Sequence, residues 1–159
     1  MFKQALVCTA IVTMLMVNPV IAQQSAPTSE KAQQIEILVR AASGLIESNG
    51  KAAFVEFKKD GQWFNGDTYL FVCDLESNVL FNAAFPGEEG TNTTGQKDAE
   101  GKLFHHDFIQ AIHSRGAGWV DYMLPKPGQA QPSQKWVYVT AVSVDGVAGF
   151  VASGFYPKE

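Results

Sequence analysis

The stretch "GAGWVDYMLPKPGQAQPSQKWVYVTAV", residues 116–142, decides how this chain folds. Residues 119–124 and 135–144 are rich in aromatic and β-branched side chains, the composition of strands. The loop between them, 125–134, holds three prolines, one lysine and three glutamines. Two strands joined so directly pair antiparallel. Residues 146–155 are a further strand. Upstream, Leu103, Phe104, Phe108, Ile109 and Ile112 keep helical spacing across 103–114, and Gly116 and Gly118 end that helix. Residues 68–73 and 79–81 form a second hairpin around the turn Glu76-Ser77-Asn78. A long loop rich in Gly, Thr and charge fills 86–101. Before all of these, Ile35, Leu38, Val39, Ala42, Leu45 and Ile46 recur as one apolar stripe. That helix is capped by Thr28 or Ser29 and ends at Asn49-Gly50, with a short second helix over 51–57.

Hairpin-linked strands with helices set before and between them predict an α+β fold on an antiparallel sheet. Residues 69–73 and 136–142 are apolar or aromatic on both faces, so both faces of the sheet must be covered. The long first helix covers one face. The 103–114 helix and the 84–101 loop cover the other less completely, and a sheet face roofed by a loop is where a small cavity forms.

The chain has 159 residues and a formal net charge of −4. Its start has the pattern of a secretory signal peptide. Met1-Phe2-Lys3 is a short positive region, residues 5–17 are almost wholly apolar, and Ala22 is a small residue for cleavage before Gln23. The apolar core is short for a membrane span and Asn18-Pro19 breaks it, which favours cleavage over an uncleaved anchor. Cys8 stands inside that core with no lipobox-like setting, which argues against a lipid anchor. The expected organisation is a signal peptide over 1–22, a short linker over 23–28 and one domain over 29–159. The product is expected in the periplasm or secreted, with no membrane span after cleavage. Loss of Lys3 takes the net charge to −5, which argues against nucleic acid and anionic membrane surfaces as partners. Cys73 is then the sole cysteine, so no internal disulfide forms, and its apolar neighbours imply that it is buried.

Four segments carry a resemblance: "GDTYLFVCD" (66–74), "VLFNAAFPGEEGTNTTGQKDAEGKLF" (79–104), "GAGWVDYMLPKPG" (116–128) and "KWVYV" (135–139). In order and spacing they resemble the single Cache domain in its small stand-alone periplasmic form. The resemblance implies a PAS-like five-stranded antiparallel sheet, with a long N-terminal helix on one face and a helix plus loops on the other. It further implies an extracytoplasmic sensor of a small organic acid or amino acid. The chain is expected to carry no signalling output of its own, and a membrane-bound receptor or kinase is then the implied partner for the signal. Asn82 departs from the family, where a histidine often stands just before the proline loop; asparagine keeps a donor and an acceptor but does not titrate near neutral pH.

The candidate ligand-binding residues are Tyr69, Phe71, Asn82, Trp119, Tyr122, Lys135 and Tyr138. The tyrosines and Trp119 have apolar bodies with polar tips, and Lys135 supplies the cation a carboxylate needs. Trp119 is expected as cavity wall, with the 84–101 and 125–134 loops closing the mouth. The bland alternative makes the rings core residues and leaves Lys135 solvated. Strand alternation also sets Trp119 against Tyr122, and Lys135 against Tyr138, unless a bulge intervenes. A rival function is a ligand-free interaction module docking on a membrane receptor or other periplasmic partner, its vestigial pocket filled by Phe71, Phe81 and Trp119. His105, His106 and His113 lack the spacing of a metal site, and Asp98, Glu100 and Gly101 suit a turn better than a calcium loop. No nucleophile stands beside a credible base, so neither catalysis nor a cofactor is expected.

Overall fold

The structure, a computed structural model, describes residues 26–157. The signal-peptide reading of 1–22 and the start of the linker lie outside those residues. Helix α1 spans Glu30–Asn49, and Ser29 Oγ accepts the Ala32 N–H as its N-cap. Its stripe of Ile35, Leu38, Val39, Ala42 and Ile46 is buried as the periodicity predicts, packed on β4 and β5. After one tight turn over Gly50–Ala53, α2 is a single turn, Phe54–Phe57.

Strands β1 (Leu70–Asp74) and β2 (Val79–Asn82) form the first hairpin. Helix α3 (Phe104–Arg115) follows, capped by Gly116 in the left-handed conformation (φ 71°). Strands β3 (Ala117–Pro125), β4 (Pro132–Val144) and β5 (Val147–Phe155) complete one antiparallel sheet of order β2-β1-β5-β4-β3. The α+β class with five antiparallel strands is therefore as expected. β3 and β4 run further than expected, up to a paired Pro125 and Pro132, which leaves only 126–131 as the tip. Proline at a ladder end loses no interior hydrogen bond, so pairing tolerates it there.

The sheet divides the core in two. Leu70, Val72, Phe81, Trp136, Tyr138, Val151 and Phe155 pack beneath α1 and α2. Tyr69, Phe71, Val120, Tyr122, Val137, Val139 and Phe150 face the other way, towards Phe104 and Phe108 of α3. Polar contacts fix α1 in place: Arg40 Nη2 donates to Tyr138 Oη at 2.7 Å, and Trp119 Nε1 donates to Glu36 Oε1 at 2.8 Å. Helix α3 covers mainly β3. The β1–β2 end of the second face is left to the loop between β2 and α3.

Candidate ligand-binding site

On that second face lies a cavity of about 250 Å³. Its floor is Tyr69, Phe71 and Cys73 with Tyr122 and Leu124, and Phe104 and His105 of α3 form one wall. The loop after β2 roofs it with Phe85, Glu88, Thr93 and Gln96, and the β3–β4 tip contributes Lys126 and Gln129. Both expected loops thus reach the mouth.

The roof is held by side chains of the hairpin below it. Asn82 Oδ1 accepts the N–H groups of Ala84 and Phe85 at 3.2 and 3.0 Å, and its Nδ2 donates to Glu88 Oε2 at 2.9 Å. Asparagine at this position is a loop clamp: its carbonyl is fully used, and one amide hydrogen remains. At the far end Thr93 donates both its N–H and its hydroxyl to the Ser77 carbonyl. Asp98 makes the turn before α3, accepting the N–H groups of Glu100, Lys102 and Met123.

Lys135 is the most constrained group. It is 1% exposed, so the solvated alternative does not hold. It pairs across the strand with Tyr122, which puts both on the cavity side of the sheet. The ammonium does not itself line the cavity. It sits behind Tyr69, donating to Tyr69 Oη at 2.8 Å, between the rings of Tyr69 (4.2 Å) and Tyr156 (5.4 Å). Burial drives its pKa down to about 7, against the opposing pull of Asp67 and Glu88. Burial likewise raises the Tyr69 and Tyr122 hydroxyls above the ordinary phenol value, so both keep their protons at neutral pH. Tyr69, whose oxygen accepts from Lys135, donates its own hydrogen to no group among the described residues, and Ser153 Oγ fixes its backbone by donating to the Tyr69 carbonyl at 2.8 Å. Tyr122 lies flat on Phe104, ring centroids 4.1 Å apart.

The structure brings Tyr69, Phe71, Asn82 and Tyr122 together on the cavity and places Lys135 directly behind them. It removes Trp119 and Tyr138. The β3–β4 register is unbroken, so no bulge rescues them, and both rings lie on the opposite face beneath α1. The cavity wall assigned to Trp119 is supplied by Phe85 and Phe104.

Comparison with known proteins bears on this architecture. The sequence profile described as Cache domain matches residues 30–148. The chain belongs to the Cache domain family. Among solved structures, this Cache domain is similar to a periplasmic sensor domain of a chemotaxis protein, with 31% identity and a TM-score of 0.71 over 81% of this chain and 96% of that one. It is also similar to a Cache chemosensory domain solved for the structural basis of carboxylic acid recognition. There the identity is 26% and the TM-score 0.68, covering 80% of this chain and 94% of that one. A curated relative, the methyl-accepting chemotaxis protein McpP of Pseudomonas putida, is 25% identical over 93 residues. The match takes in 58% of this chain but only 17% of that receptor. No helix among the described residues of this Cache domain is long and apolar enough to cross a membrane.

Sequence reading missed Phe85, Glu88, Thr93, Phe104 and His105 as lining residues of this Cache domain. For His105 a signal was available: 105, 108 and 112 share one helical face, so His105 belongs to the apolar stripe rather than to the solvated side with His106 and His113. For Glu88 and Thr93 there was none, because an irregular loop has no period.

Proposed function

We propose that this Cache domain is an extracytoplasmic binding domain for a small organic acid or amino acid, acting by binding and not by turnover. The observation that carries the reading is the pair of buried phenols, Tyr69 and Tyr122, which keep their protons and open on an apolar-walled cavity, with the Lys135 ammonium charging Tyr69 from behind. A carboxylate accepting from both hydroxyls meets several donors and a positive charge, which a dry anion requires. The likeness to a carboxylic-acid-recognising Cache domain supports the ligand class. In this reading Phe71, Phe85 and Phe104 are apolar wall, Asn82 holds the roof, and Lys135 acts through Tyr69. The domain then presents its bound state to a membrane-bound receptor or kinase in the periplasm. The plugged pocket that would suit the rival, a ligand-free module, finds no support: Phe81 and Trp119 pack under α1, and only Phe71 of the three plugs lines the cavity.

The test is a thermal-shift screen of the purified domain against short carboxylates and amino acids. A ligand at a hundred times its dissociation constant adds about 2.7 kcal/mol of stability. At least one such compound is expected to raise the melting temperature by several degrees, and Tyr122→Phe to abolish that rise. A flat screen returns the domain to the interaction-module reading.

A further inference from the structure

The cavity holds acceptors as well as donors, and a simple carboxylate does not use them. Thr93 Oγ1 lies 2.8 Å from the Ser77 carbonyl and 3.0 Å from His105 Nδ1. A carbonyl cannot donate, so at 2.8 Å the one hydroxyl hydrogen of Thr93 points at Ser77. The contact to His105 is then favourable only if Nδ1 carries the ring hydrogen and Thr93 accepts it. That assigns the tautomer and leaves Nε2 a bare lone pair. Burial holds the ring neutral, its pKa lowered to about 4. His105 is buried and lines the cavity, yet Nε2 has no hydrogen-bond partner among the described residues. Nor is it sealed away: the only fully enclosed side-chain polar atom without a partner among them is Thr140 Oγ1. The second acceptor is Glu88. Its Oε2 takes the Asn82 amide hydrogen, while Oε1 has no hydrogen-bond partner among the described residues.

We propose that His105 Nε2 and Glu88 Oε1 form an acceptor pair that makes the cavity select a carboxylate bearing an adjacent ammonium, an α-amino acid, over the same acid without it. The inference rests on the binding function proposed above and narrows its ligand class. With the carboxylate on the Tyr69 and Tyr122 hydroxyls, the ammonium has several hydrogens for the two acceptors and a charge that matches Glu88. A plain acid brings its negative charge near Glu88 and leaves the lone pair of His105 desolvated and unmatched. A site built to pair with a polar group rejects the analogue that lacks it far more strongly than a merely apolar site would.

Isothermal titration of the full domain with L-alanine, L-lactate and propionate, extended to L-serine and glycerate, tests this. The expected result is at least one amino acid binding tenfold or more tighter than its hydroxy and unsubstituted counterparts. Glu88→Gln keeps an acceptor for Asn82, removes the charge, and is expected to erase that preference, read as the ratio of alanine to propionate affinity measured on the same variant. His105→Leu is expected to do the same if it folds, and Glu88→Gln decides the matter if it does not. Propionate or lactate binding as tightly as alanine overturns the selection by ammonium while leaving carboxylate binding intact. Heat from none of the five compounds overturns both.

Discussion

Lys135 concentrates the chemistry of this Cache domain at the scale of one residue. Among the described residues its ammonium has one hydrogen bond, to Tyr69, and two aromatic faces, with Asp67 and Glu88 as the carboxylates that act on it from the loops. Its folded pKa, about 7, lies below the ordinary 10.5. Below pH 7 both folded and unfolded lysine are protonated, so burying the charge destabilises the apo protein in full. Above pH 7 the folded state has shed its proton while the unfolded chain still holds it, and stability rises with pH by at most about 1.4 kcal/mol per unit. Urea melts at pH 7 and pH 9 are expected to show this rise in the parent and not in Lys135→Met, which keeps the buried stem without the charge. Ala is the wrong probe, because it leaves a void behind Tyr69. An anionic ligand favours the ammonium, so affinity is expected to be greatest below pH 7 and to fall by up to tenfold per unit above it.

At the scale of elements, two glycines show what decides a substitution. A Cβ at Gly149 on β5 runs into the carbonyl of Cys73 on β1, a backbone atom with no rotamer to escape into. Gly149→Ala is expected to separate these central strands and cost about 1–3 kcal/mol, as overpacking does. Gly44 lies within α1 with nothing within 4 Å of the added methyl. Gly44→Ala is expected to stabilise by about 0.5–1 kcal/mol through helix propensity. Urea denaturation of the two variants beside the parent measures both signs in one experiment.

For the whole molecule, the thiol of Cys73 reports on the integrity of the sheet. It is 1% exposed at the cavity floor, and burial, with Asp74 and Glu88 adding to it, pushes its pKa up to about 12. The native domain is expected not to react with a bulky disulfide reagent at pH 8. Labelling is expected only at the rate at which β1 opens, slowing further in the presence of a ligand that fills the cavity. Rapid labelling of the native state would show a looser second face than the structure has.

Much of this was legible in the residues themselves. A period of 3.6 marked α1 and α3, strand runs with their turns marked the hairpins, and apolar residues on both faces of the central strands required two covering layers. These are local signals, and the chain carries them wherever it goes. Strand alternation also warned that Trp119 and Tyr122 part company, a warning the unbroken β3–β4 register makes fact. The tertiary structure alone decided which side of the sheet each ring joins, that Lys135 stands behind Tyr69 instead of in the open, and that Glu88, Thr93 and His105 meet over one cavity. Those placements depend on an aperiodic loop folding back across residues far apart in the chain, and no repeat in the sequence encodes where such a loop lands.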